Sequence, residues 1–383
     1  MNYKSDGFNI PDHVTYLNCA YMSPFLKSTS KIGQSAVLKK EKPWEIQGDD
    51  FFQPVEEARS RFARLVHAKS ENIAIVPSAS YGLATAAKNL SGLPAGKILL
   101  IGDQFPSNVY VWRELAKSDR HEIVYISKNI SESAGENISD KIIRELDKDV
   151  RIVAMSHVHW CDGLKFDLKR ISSDVQKRNI KLVIDGTQSI GAIPFSVEEI
   201  RPDFLITACY KWLFGPYAMG FMYVSEDFLE GTPLEFNWIN KLGSNDFQNL
   251  VNYKDQFEPG ARRYDMGERS QFHAMPMVVD ALKFIEDVGV QNISHHCEDL
   301  IEFFISNLEP LGAKVRYWDK EQRSENIFGL YFESDQALQR VKENLMAHHC
   351  FVSYRGQSMR ISPHVYNSKE DMVTLFGLIQ QVL

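Results

Sequence analysis

At 383 residues, with 44% hydrophobic and 24% charged residues, the chain is too long for one small core and has the make-up of a soluble protein of two domains. A net charge of −7 gives no basic footprint for nucleic acid, and no apolar run approaches the roughly 20 residues needed to span a bilayer. The five cysteines, at 19, 161, 209, 297 and 350, form no CxxC pair, and their odd number argues against a disulfide framework; together with an N-terminus (MNYKSDGFNIPDH) that lacks an apolar signal core, this points to the cytoplasm.

Residues 1–30 read as an N-terminal arm, with a short strand-like piece at Tyr16-Leu17-Asn18-Cys19-Ala20 followed by Ser23-Pro24. Helices fill 31–69, where Val55, Ala58, Phe62, Leu65 and Val66 recur at helical spacing. A strand at Asn72–Val76 then runs through Pro77-Ser78-Ala79-Ser80-Tyr81-Gly82 into a helix over Leu83–Leu90. Small residues at such a turn leave backbone N–H groups open at a helix N-terminus, a ready anion site, although Ser80 in such a turn is often only a cap. Lys97–Ile101 is a buried strand, and Gly102 to Ser107, with Phe105, follows it. Residues 131–150 are polar and acidic and read as a loop followed by an amphipathic helix.

Arg151–Met155 is a strand that runs into Ser156-His157-Val158-His159-Trp160-Cys161-Asp162-Gly163. Two histidines and a cysteine here suggest a metal site at first sight, but the spacing is wrong for a zinc knuckle and there is no second ligand cluster, so no metal is expected. After a helix at Asp167–Arg178, the apolar run Leu182–Ile184 ends on Asp185, with Gln188 three residues on. A second run, Phe204–Ala208, leads into Cys209-Tyr210-Lys211-Trp212 and then Gly215-Pro216. Two buried strands thus deliver a carboxylate and a lysine to one edge of a sheet, where open α/β sheets put their ligand sites. A lysine amine that loses its proton in a dry pocket can condense with an aldehyde.

Residues 231–257, with Trp238-Ile239-Asn240, are irregular and polar, an active-site flap or a dimer segment. Phe257 to Arg269 follows, including Arg262, Arg263, Gly267 and Glu268; a guanidinium such as Arg262 suits a carboxylate or phosphate. Helices at Met275–Val288 and Ile293–Leu308, strands at Val315–Trp318, Ile327–Phe332 and Met359–Ile361, and a helix at Asp335–His348 make a smaller domain. The expected division is 1–30 for the arm, 31–265 for the large domain and 266–383 for the small one. His348-His349-Cys350 enters a strand, more like a core thiol than an exposed nucleophile.

The runs V-I-D-G-x-Q-S-x-G (183–191) and P-D-F-x5-Y-K-W-L-x-G-P-x3-G (202–220), with Arg360-Ile361-Ser362-Pro363-His364-Val365-Tyr366-Asn367-Ser368, resemble the class V aminotransferases, fold-type I enzymes that use pyridoxal phosphate. The resemblance runs from about Tyr16 to the C-terminus. It implies an α/β fold: a large domain with a mostly parallel, seven-stranded-type sheet plus a small α/β C-terminal domain, working as a homodimer with shared sites. It further implies that Lys211 carries the cofactor as a Schiff base and acts as general base, and that Asp185 keeps the ring nitrogen protonated. By the same resemblance Ala79, Ser80 and Tyr210 hold the phosphate, Phe105 stacks on the ring, and Gln188 faces the ring hydroxyl. Trp238, Gly267 and Glu268 belong to the cofactor site, the 257–269 loop reaching the partner's phosphate. Arg360, with Asn18 and Arg262, binds the substrate.

The motifs identify the superfamily better than the reaction. The favoured expectation is an aminotransferase-type reaction on a small amino acid. A kynureninase-like lyase is next, supported by Phe105-Pro106-Ser107 and Tyr210-Lys211. Trp160, where cysteine desulfurases carry Asn, counts against a desulfurase or selenocysteine-lyase-like reaction, and an epimerase stays open. Outside this class stand a dehydrogenase, disfavoured because no strand leads into G-x-G-x-x-G, and a catalytically inactive binding module.

Overall fold

The computed structural model describes residues 6–128 and 137–383; part of the acidic loop expected within 131–150 lies outside them. The strands in chain order are β1 (Thr15–Tyr16), β2 (Ile73–Val76), β3 (Lys97–Ile101), β4 (Glu122–Ile126), β5 (Val150–Ser156), β6 (Lys181–Asp185), β7 (Phe204–Ala208), β8 (Gly220–Val224), β9 (Val315–Arg316), β10 (Phe328–Phe332), β11 (Cys350–Phe351), β12 (Ser353–Arg355) and β13 (Ser358–Ile361). Seven of them form one sheet in the order β2-β8-β7-β6-β5-β3-β4. All run parallel except β8, which is antiparallel to both neighbours. The expected mostly parallel seven-stranded sheet is therefore present.

Alternation along the strands feeds two cores. Ile73, Ile75, Leu99 and Ile101 face one helical layer, while Ala74, Val76, Ile98 and Leu100 face the other. Strands β4 and β8 escaped the reading of the sequence. The first is an edge strand in which only Ile126 is buried, and its apolar run Ile123–Ile126 is too short to be told from a helix segment by periodicity. The second follows the lysine loop without a break in composition. The helix after β2 spans Ala79–Asn89, beginning earlier than expected because Ser78, not a later residue, caps it by accepting from the Tyr81 N–H at 3.1 Å. Gly82 lets that helix lie close on β7, since a Cβ there would meet Ile206 Cγ2 at 2.8 Å.

A second sheet, β12-β13-β10-β9, is antiparallel and packs on its own core from Leu300 onward. Of the two long helices before it, Met275–Val288 buries its apolar side in the large core, while Val290–Ser306 contributes Ile293 and Cys297 to the large core and Leu300, Ile301 and Phe304 to the small one. The N-terminal arm joins the small sheet's side of the molecule: β1 pairs in parallel with β11, and Leu17 sits in the small core.

A buried ion pair welds helix Gln53–Leu65 to the loop after residue 257. Arg59 and Asp265 are both fully buried; Asp265 accepts from Arg59 Nη2 at 2.7 Å, from the Ile75 N–H at 2.7 Å and from Arg269. Removing one partner strands the other charge in a dry interior. Asp265→Ala is expected to cost about 3–5 kcal/mol in denaturant unfolding; a loss below about 1 kcal/mol, the worth of an exposed pair, would show that the pair does not carry this junction.

Candidate active site

The parallel strands end along one line, and the loops leaving them enclose a cavity. Asp185 is the last residue of β6, Ser156 of β5 and Ala208 of β7; all three line it. The turn Pro77–Ser80 after β2 and Gln104, Phe105 and Ser107 after β3 complete the rim. Seven of the expected residues meet here: Ala79, Ser80, Phe105, Asp185, Gln188, Tyr210 and Lys211.

Lys211 is buried, its ammonium 5.7 Å from the Phe105 ring centre and 5.3 Å from that of Tyr210. Burial, then the positive charge of Arg360, pull its amine down to about 7, although Asp185 pulls the other way. Asp185 is buried too; desolvation pushes its carboxyl up, opposed by bonds from Thr187, whose N–H reaches Asp185 Oδ1 at 3.0 Å, and by Lys211. The loop that carries Lys211 is strained: Phe214 and Ala218 hold φ of 53° and 63° in the left-handed region, at roughly 1 kcal/mol or more each.

Gln188 lines the cavity with both polar ends of its side chain in use. Its Nε2 donates to the Ala20 carbonyl at 3.1 Å, its Oε1 accepts from Trp212 Nε1 at 2.9 Å, and Asn326 Nδ2 donates to its backbone carbonyl at 2.9 Å. The residue ties the arm, the lysine loop and the small domain together. Ser80 Oγ lies 2.9 Å from Ser78 Oγ at the open end of the Ala79–Asn89 helix.

A second recess opens beside the first and shares Phe105, Trp160, Tyr210, Lys211 and Tyr217 with it. Arg360 lines this recess. Its Nη1 donates to the Trp160 carbonyl at 2.6 Å, while Nε and Nη2 are buried without a hydrogen-bond partner. Desolvation, then Arg355, lower its guanidinium to about 9. Trp160 is itself held by its indole N–H on the Asp103 carbonyl at 2.8 Å and packs edge-on against Phe105 at 5.3 Å.

The remaining expected residues lie elsewhere on this chain. Asn18 is buried outside the cavity lining, its Oδ1 accepting from Ser353 Oγ at 2.7 Å. Arg262 is held by Glu56 through Nε at 3.1 Å and Nη2 at 2.5 Å. Trp238 packs against Phe51 and Phe247, the Gly267 N–H donates to Glu235 at 2.6 Å, and Glu268 is exposed. None of these five touches the cavity within one subunit.

Sequence reasoning missed Gln104, Thr187, Tyr217 and Arg355. Gln104 is buried and latches two loops, donating to the Asn108 carbonyl at 3.0 Å and accepting from the Ser156 N–H at 3.0 Å. A polar residue in the loop leaving a buried strand was the available signal for it, and Thr187 stands inside the D-G-x-Q run; nothing local marked the other two. Cys350 is buried, and desolvation pushes its thiol up to about 12, so it is a core thiol in this structure. All five cysteines are unpaired. Among the described residues no three His, Cys, Asp or Glu gather to hold a metal, and no helix is long and apolar enough to cross a membrane.

The residues present fit an aldehyde cofactor bearing a phosphate: a near-neutral buried amine, a buried carboxylate and an open helix end share one cavity. The comparisons agree. The aminotransferase class-V family model matches residues 45–375, and the chain belongs to that family of pyridoxal-phosphate-dependent enzymes. It is 24% identical to an uncharacterized aminotransferase of Bacillus subtilis over 84% of this chain and 81% of that one. It is 25% identical to a probable cysteine desulfurase of Pyrococcus abyssi over 86% and 84%. The apo structure of a cysteine desulfurase from Thermococcus onnurineus superposes with a TM-score of 0.84 at 19% identity, covering 99% of this chain and 96% of the other. That last likeness is one of fold.

The lowered amine is directly measurable. In the cofactor-free protein, labelling of Lys211 by an amine-reactive reagent should rise with pH around a midpoint of about 7. A midpoint near the ordinary lysine value of 10.5 would contradict the burial argument. The unfolded chain binds the proton that the folded one resists, so the stability penalty is full below about 7 and fades as pH rises to 10.5.

Proposed function

We propose that this enzyme carries out an aminotransferase-type reaction on an amino acid, with Lys211 as the residue that attaches the cofactor and moves the substrate proton. The observation that carries the reading is the near-neutral Lys211 amine lining one cavity with Asp185, beside a recess where Arg360 keeps two donor nitrogens unpaired.

Bound pyridoxal phosphate supplies an aldehyde to condense with amines and a ring that accepts electrons from the carbon being deprotonated. The chain does the rest. The backbone N–H groups at the start of the Ala79–Asn89 helix, with Ser80 and the Tyr210 hydroxyl, would hold the phosphate. Asp185 would keep a proton on the ring nitrogen as its charged partner, which would also offset the burial cost of the carboxylate. Phe105 would supply a flat face for the ring. The free Arg360 donors grip the substrate α-carboxylate as a fork, turning its Cα–H toward Lys211 Nζ, which takes the proton as a neutral amine. Gln188 positions the lysine loop through Trp212.

In a homodimer the loop after residue 257, with Gly267 and Glu268, and the segment around Trp238 would reach the partner's site, whereas Arg262 is already held by Glu56. The unpaired cysteines support a reducing, cytoplasmic setting. The desulfurase relative supports a second reading, a lyase acting on a sulfur-bearing amino acid. Buried Cys350 speaks against sulfur transfer through that thiol.

Two measurements test the proposal. Borohydride treatment of the holoprotein should fix the cofactor to Lys211, identified by mass of the labelled peptide; protein that stays colourless with pyridoxal phosphate rejects the reading. With holoenzyme in hand, products decide the reaction: a 2-oxo acid formed only with an amino acceptor is expected, whereas ammonia, sulfide or alanine would establish the lyase. Arg360→Met should lower kcat/KM by about 10²–10³-fold through loss of a buried charge-assisted carboxylate contact.

A further inference from the structure

Arg360 is not the only guanidinium in the substrate recess. Arg355 lines it as well, and the hairpin of β12 and β13 explains how. Ser353 pairs directly with Arg360 across the two strands, and Arg355 lies two residues along from Ser353. Directly opposed residues share a face, and so do residues two apart on one strand. Both arginines therefore rise from one face of one hairpin, on a diagonal of roughly 7–8 Å.

Their partners are unusual. Among the described residues neither guanidinium has a carboxylate within salt-bridge distance. Arg355 lies over the Trp160 indole at 5.1 Å and donates Nη1 to the Tyr354 carbonyl at 2.6 Å, while its Nε is buried with no partner. Arg360 takes the backbone carbonyl of the same Trp160. One residue thus steers both forks, with its ring face under one and its carbonyl on the other, and leaves donors of each unused. A guanidinium stacked on an aromatic face keeps its in-plane N–H groups for a carboxylate.

Two like charges facing a recess beside a lysine repel each other, and each raises the cost of protonating Lys211. A substrate with one carboxylate satisfies only Arg360. We propose that Arg355 is a specificity-determining residue that binds a second carboxylate, and that the substrate is an α-amino acid with an acidic side chain. The inference rests on the function proposed above and names its substrate class.

Binding of unreactive acids to the holoenzyme, read by calorimetry, tests it apart from turnover. Succinate and butyrate have the same chain length and differ by one carboxylate. Succinate should bind about 10- to 100-fold tighter than butyrate. Arg355→Gln should abolish that preference while butyrate affinity stays within about 2-fold, which also shows the variant to be folded; Arg360→Gln should weaken both acids. In turnover, kcat/KM for aspartate or glutamate over the matching amide should exceed unity by a similar factor and collapse in Arg355→Gln.

Equal binding of succinate and butyrate by the wild type overturns the inference. So does an Arg355→Gln variant that weakens both acids alike, because Arg355 then shares the α-carboxylate. Failure to form holoenzyme at Lys211 removes the function proposal and this inference together. Holoenzyme that turns over neutral amino acids as well as acidic ones removes only this inference.

Discussion

Keeping a primary amine dry beside two guanidinium groups is the constraint on which the site depends. In water Lys211 would be fully charged at neutral pH. Burial and the neighbouring positive charges pull it down to about 7, and one carboxylate, Asp185, limits the drop. The result is an amine neutral enough to attack and to accept a proton, yet close enough to charged to return it. Such a group is unstable in isolation, and the surrounding frame holds it. The left-handed residues Phe214 and Ala218 fold the lysine loop back on itself, and Trp212 anchors it to Gln188. The strands behind the loop are buried, β7 throughout and β6 at all but its first residue.

The site is assembled from three parts of the chain that are remote in sequence. The sheet edge supplies Lys211 and Asp185, the β12–β13 hairpin supplies Arg355 and Arg360, and the N-terminal arm supplies Ala20, Tyr21 and Met22 to the recess. Backbone bonds fasten the arm on both sides: the Ser362 N–H donates to the Leu17 carbonyl at 2.8 Å, and the Ser23 N–H donates to the Tyr210 carbonyl at 3.1 Å. Trp160 does for the two arginines what Gln188 does for the three segments. Both arginines ride on one hairpin, so any shift of the small domain would carry them together relative to the lysine.

Burial also separates the thiols from the chemistry. Cys19, Cys209 and Cys297 are buried, their thiols pushed up chiefly by desolvation, and Cys350 is buried within β11, where it pairs with Thr15 of β1. A sulfur-accepting thiolate needs exposure and a positive neighbour. Cys161 is partly exposed and close to Trp160, but burial still holds it up at about 12.

The sequence by itself determined five of the seven strands of the large sheet, β4 and β8 excepted, and the residues that carry its chemistry. Apolar runs ending on Asp185 and leading into Lys211 follow from strand burial, which is local, and a strand's C-terminal end is a position that can be read from composition. The Ser-rich turn and the Arg360 motif were legible for the same reason: each is a contiguous stretch. Only the tertiary structure decided which donors remain unpaired. Arg262 is a candidate clamp by residue type, but Glu56, more than two hundred residues away in sequence, occupies it. Arg355 had no signal at all, because its place beside Arg360 comes from strand register and its stacking from a tryptophan nearly two hundred residues earlier. Pairing across such distances is set by how the domains pack, and no local pattern encodes it.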